Sequence, residues 1–235
     1  MVDTSTIGAY TVIYTVSDTA ENMAEANRMV NIIDSITHNQ ITYGFVTSPY
    51  TAKIWLDRNL GASQVCTAFD DRDCYGDYYQ WGRNADGHED SASASTATKA
   101  TDVTTVGHGN FITVNGFGDW ASVDTDEGLI RSANWSKADG SSVCPIGFRV
   151  PSPSEVEEEI LDKGVKDFSN FLKLPFTGFR ISSNGLASED DMGFIWSTTA
   201  GIQITSTKGW VFSSDSTEQT DLQRFVGASV RCIQD

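Results

Sequence analysis

The chain has 235 residues, a formal charge of −16 from 32 acidic and 16 basic side chains, and 39% apolar residues that include six Trp and twelve Phe. That length holds one large domain, or a domain with an appendage, and the aromatic content can fill a core. Such acidity opposes phosphate backbones and anionic lipid, so nucleic acid is not an expected partner, and no apolar run is long enough to span a bilayer.

The first residues, Met-Val-Asp-Thr-Ser-Thr, lack the basic start and apolar segment of a signal peptide, so the chain is expected to be part of a longer exported protein. Residues 8–16 alternate and predict a strand, 17–22 a turn, and 28–34 the partner strand. This pair resembles the last two strands of bacterial immunoglobulin-like repeats. A whole sandwich needs roughly 100 residues, so residues 1–36 are expected to be a β-rich remnant of such a repeat or an N-terminal hairpin.

His38–Ser48 reads as a connector, 53–61 as a strand followed by a turn, and Tyr75–Arg83 as a short helix turning Tyr78, Tyr79 and Trp81 inward. Residues 84–110, rich in Asp, Gly, Ser, Ala and Thr, read as a long surface loop and the least ordered part of the chain. Ser152-Pro153-Ser154-Glu155 predicts a capped helix start with Val156, Ile160 and Leu161 on its apolar face, stopped by Gly164. A second short helix is expected over Lys166–Leu172. Beyond it come short strands over 175–181, 194–198, 209–213 and 228–233.

Cysteines stand at 66, 74, 144 and 232, with no zinc-type spacing, and allow three pairings. We favour Cys66–Cys74, a short local clip, and Cys144–Cys232, a long closure, which imply an oxidising compartment. Four buried free thiols are the alternative.

Six segments, taken in order, carry a resemblance: Ile-Trp-Leu-Asp-Arg-Asn-Leu-Gly-Ala (54–62), Gly-Asp-Tyr-Tyr-Gln-Trp-Gly-Arg (76–83), Cys-Pro-Ile-Gly-Phe-Arg-Val-Pro-Ser (144–152), Leu-Pro-Phe-Thr-Gly-Phe-Arg (174–180), Ile-Trp-Ser-Thr-Thr (195–199) and Gly-Ala-Ser-Val-Arg-Cys-Ile (227–233). Together they resemble the Fibrobacter succinogenes major paralogous domain family over residues 44–235. The resemblance implies an α+β, C-type lectin-like fold of short, mostly antiparallel strands and two helices, on an exported bacterial protein. The tail is also similar to the variable proteins of diversity-generating retroelements, which display a diversified binding patch before a closing strand. By that likeness the chain is a non-catalytic receptor or adhesin domain at a bacterial or phage-associated surface, binding a cell-surface protein or glycan.

The residues expected to bind are Thr199, Gln203, Thr205, Lys208, Trp210, Phe212, Ser214, Asp215, Glu218, Gln219, Asp221 and Gln223. Lys208, Trp210, Phe212 and Ser214 would share one face of a strand, with Trp210 as an exposed anchor. Burial of Trp210 and Phe212 in the core is the competing reading. Trp55 and Trp196 are expected in the core. No organic cofactor is implied, and calcium is the metal the acidic groups would suit: Asp70, Asp71, Asp73 and Asp77, or Asp86, Glu89 and Asp90, or Asp124, Asp126 and Glu127. His38, His88 and His108 are expected to face solvent. No nucleophile elbow or phosphate loop is present. The rival functions are an oxidase like the formylglycine-generating enzymes, which would need a reactive cysteine pair, and a purely structural module.

Overall fold

The computed structural model describes residues 6–122, 127–182, 185–201, 203 and 205–235. Two compact units divide the chain, Met1–Ile36 and Thr37–Asp235. The first is a hairpin of β1 (Gly8–Ser17) and β2 (Met23–Ile32) in uninterrupted antiparallel register. Its turn is held by Asp18, whose carboxylate accepts the Ala20 and Asn22 amides and the Asn22 side-chain amide. The register puts Tyr10, Val12, Tyr14, Val16, Val30 and Ile32 on one face and Thr11, Thr15, Asn27 and Asn31 on the other.

Residues 38–48 are not a connector. The chain runs from β3 (Ser35–His38) through a two-residue turn into β4 (Ile41–Thr47). Asn39 and Gln40 both take left-handed φ values, 48° and 67°, which suit a tight hairpin. With β5 (Ile54–Leu56), β9 (Phe148–Arg149) and β16 (Ile233–Gln234) these strands form a sheet in the order β3-β4-β5-β16-β9. A second sheet runs β11-β10-β15-β6, from Gly185–Ala187, Phe179–Ser182, Gly227–Ala228 and Tyr79–Gln80. A third is β12 (Met192–Ala200), β13 (Ser206–Ser213) and β14 (Thr217–Gln223), with β14 at the edge. β7 (Ser95–Thr96) and β8 (Phe111–Ile112) pair in parallel.

Among the described residues only α1 (Leu129–Trp135) and α2 (Pro153–Ile160) are α-helical. Strands take 36% of the residues and helices 8%, so the fold is β-rich, and the expected α+β, C-type lectin-like class is corrected. Two expected helices account for the difference. Tyr75–Arg83 cannot coil because Gly76 and Gly82 hold φ near +75°, and the segment instead lends β6 to a sheet. Over 166–172 the chain reverses through turns, with Phe168 and Lys173 left-handed. By contrast α2 starts as the residues dictate. Ser152 Oγ accepts the Glu155 amide, Glu155 accepts the Ser152 amide, and Pro153 occupies the first turn.

Besides a small cluster of Cys66, Cys74 and Tyr75, two parts of the core position the site. One packs α2 on the third sheet and joins Trp55, Val156, Ile160, Leu172, Phe176, Ile195, Trp210, Phe212 and Ile233. The other gathers the buried Trp81, Trp120 and Trp135 around a charged centre. There Arg131 donates to both oxygens of Asp119 at 2.8 and 2.7 Å, and Arg224 reaches the same carboxylate at 3.3 Å. Both guanidiniums lie over the Trp81 ring, at 5.3 and 5.0 Å.

All four cysteines are bonded, Cys66 to Cys74 and Cys144 to Cys232. Among the described residues no helix is long and apolar enough to cross a membrane.

Candidate functional site

The residues that carried the family resemblance hold one another. Arg231, fully buried, donates to Asn59 Oδ1 and to the Leu56 and Leu172 carbonyls. Trp196 Nε1 donates to the Tyr79 carbonyl, and Gln80 Nε2 to those of Ile112 and Phe225. Arg149 clamps Glu155 through two 2.8 Å hydrogen bonds and also holds Asp235. That pairing pulls the Glu155 carboxyl down to about 2. These motifs therefore build the frame.

The expected binding residues divide into separate groups. Trp210 and Phe212 are each only 2% exposed, so the exposed-anchor expectation is corrected. Their face of β13 is covered by α2, and Trp210 Nε1 donates to the Pro153 carbonyl. Ser214 and Asp215 lie at the β13–β14 turn, where the Asp215 and Ser216 amides donate to Ser213 Oγ, and Glu218 stands in β14 opposite Val211. Thr199, Gln203, Thr205, Lys208, Asp221 and Gln223 come together at the opposite end of the hairpin, and Gln219 pairs with Trp210 between them. The two ends are about 20 Å apart at ~3.3 Å per residue, so they do not form one small-ligand site.

At the 199–208 end the described residues are tied to their neighbours by hydrogen bonds. Lys208 pairs with Asp221 at 2.8 Å, directly across β13 and β14. Gln223 Oε1 accepts from Thr205 Oγ1 and from the Gly118 amide. Thr207 Oγ1 donates to the Thr199 carbonyl, and the Gln203 amide donates to Ser206 Oγ. Beneath this end, buried Arg224 ties Ser206 to Asp119 and to the Glu127 carbonyl.

The bond from Gly118 brings in a residue absent from the expected set. Phe117 is 89% exposed, the most exposed large apolar side chain described, next to the glycine that Gln223 holds. It sits in Asn115-Gly116-Phe117-Gly118. An aromatic between glycines, in a segment with no apolar period, was the available signal.

The 84–110 segment is not the loose loop expected. Arg83 donates to the His108 and Asn110 carbonyls and to Asp86. Arg180 donates to Asp90 and Ser93 carbonyls while lying 4.2 Å from the Phe111 ring. His88, expected in solvent, is fully buried, and His38 and His108 are half-buried. His88 Nε2 accepts the Gln80 amide, which leaves its proton on Nδ1 facing Asp86 and Glu89.

Asp86, His88 and Glu89 form the one group of metal-type ligands found close together among the described residues. Both imidazole nitrogens are already engaged. Of the other calcium candidates, Asp71 is taken up by Thr67 and Gln64, and Asp124 and Asp126 lie outside the described residues. Compared with protein-family models, curated proteins and solved structures, the chain matches none.

Proposed function

We propose that the chain is a non-catalytic ligand-binding domain of an exported surface protein, with its binding face around Phe117 and the 199–208 end of the β12–β13 hairpin. The observation that carries this reading is an almost fully exposed Phe117 tethered, through Gly118 and Gln223, to a hydrogen-bonded polar frame. A large apolar anchor ringed by ordered polar groups is the chemistry of binding hot spots, and a frame ordered beforehand lowers the entropy lost on binding. Gln203, Thr205, Lys208, Asp221 and Gln223 supply the polar ring. The ligand is a cell-surface protein or glycan.

The resemblance to the Fibrobacter paralogous family, and to retroelement-diversified proteins, supports a display role and an extracellular place. The two disulfides are compatible with that place. They also speak against the thiol-dependent oxidase alternative, because no cysteine is free.

Flow cytometry of labelled protein on bacterial cells tests the reading. Lys208→Ala and Gln223→Ala are expected to reduce saturable binding, and Asp215→Ala at the far turn to leave it unchanged. Equal loss in all three, or in none, would remove the face. A neighbouring reverse transcriptase gene, with a near-repeat of the 190–233 coding segment differing at adenines, would establish diversification.

A further inference from the structure

A cavity of about 440 Å³ lies between the Asn39-Gln40 turn, Leu60-Gly61 and the 77–89 stretch, separate in sequence from the proposed face. Tyr43 and Tyr79, each 1% exposed, contribute to its walls, and Asp77 and Glu89 supply two carboxylates. Neither lysine nor arginine lines it; His38 does, with its Nε2 on the Val143 carbonyl and its pKa lowered by burial. The nearby Arg58 is already paired with Asp57. Tyr79 donates to Asp77 Oδ2 at 3.2 Å, whereas Asp77 Oδ1 receives no hydrogen bond among the described residues. The Tyr43 hydroxyl accepts the Gly61 amide at 2.9 Å, and its own hydrogen has no acceptor among them. A methyl group on Gly61 would lie 2.2 Å from the Asp77 carboxyl carbon, so the glycine makes the room that carboxylate occupies.

This is a half-buried negative charge, with one oxygen and one hydroxyl hydrogen unused among the described residues, beside aromatic rings. Burial and the charge of Glu89 push the Asp77 carboxyl up to about 6. We propose that the cavity binds an alkylammonium group, with Asp77 and Glu89 as counter-charges and the two tyrosines as walls. An ammonium donates charge-assisted hydrogen bonds to carboxylates and is attracted to tyrosine faces. The volume exceeds what a bare ion fills, and Glu89 Oε2 already accepts the Asp86 and Gly87 amides and faces His88 Nδ1, so Glu89 contributes charge while Asp77 Oδ1 is the oxygen left for a donor. The Tyr43 hydroxyl would meet an acceptor on the same ligand, such as a peptide carbonyl beside a lysine side chain. The shared chemistry is the primary ammonium, carried by a free amine or by a lysyl residue.

Calorimetry on the whole chain at neutral pH tests this with 1,4-diaminobutane, N-acetyl-lysine N-methylamide and calcium chloride in separate titrations. At least one amine is expected to bind, and Asp77→Asn to weaken it about tenfold or more, the loss of one charge-assisted bond. Tighter binding of the lysine derivative assigns the site to a protein-borne lysine, and tighter binding of the diamine to a free amine. Melting curves confirm folding, with Asp77→Asn expected to melt no lower than the parent. No binding of either amine, unchanged affinity in a folded variant, or binding of calcium alone would overturn the proposal.

Discussion

Among the described residues Arg231 has no carboxylate as a hydrogen-bond partner, and it is buried where the closing strand meets the 54–62 segment. Burial pulls its pKa down to about 9, so it stays charged at neutral pH and must be satisfied by carbonyls alone. Removing it leaves Asn59 Oδ1 and the Leu56 and Leu172 carbonyls without donors. Arg231→Met should therefore destabilise the domain by about 3 kcal/mol in denaturant unfolding. Asp77 works in the opposite direction. Its carboxyl is raised from 3.8 to about 6, so the folded state holds a proton that the unfolded state releases earlier. The associated stability is full below 3.8 and is lost as pH rises through 6. Asp77→Asn should raise stability at pH 7.5 by about 2 kcal/mol and flatten its pH dependence across that window. A side chain that weakens the fold while lining a cavity fits a binding role better than a structural one.

At the scale of elements, the caps and the register set what each segment does. Ser152→Ala removes one partner of the capping box of α2 and should cost about 1 kcal/mol. Trp210→Ala opens a cavity under the same helix and should cost about 3–5 kcal/mol. The start of α2 was readable because the box is local, with every partner within four residues. Nothing comparable marked α1, whose cap is the left-handed Gly128 with no side-chain hydrogen bond. β14, Thr-Glu-Gln-Thr-Asp-Leu-Gln, carries no apolar alternation and became a strand only through its register with β13. Trp210 and Phe212 had the period of a strand, but period alone could not say that α2 would cover their face.

For the whole molecule, the Cys144–Cys232 bridge closes a separation of 88 residues. In the chain-entropy account that is worth about 4–5 kcal/mol, and the Cys66–Cys74 clip, with a separation of 8, about 2–3 kcal/mol. Reduction should lower the melting temperature sharply, and Cys144→Ala/Cys232→Ala should reproduce most of the loss. The pairing could be anticipated. The fold class could not, because strands of two or three residues such as β6, β15 and β16 exist only through partners far along the chain. The candidate face was half legible: the polar residues at 199–223 were in view, but its aromatic was sought at Trp210 when the exposed one is Phe117.

Melting temperature and cell binding measured together on Phe117→Ala and Trp210→Ala test the display account most directly. It predicts that Phe117→Ala melts with the parent and loses saturable binding, whereas Trp210→Ala melts well below it. Full binding by Phe117→Ala would contradict the account.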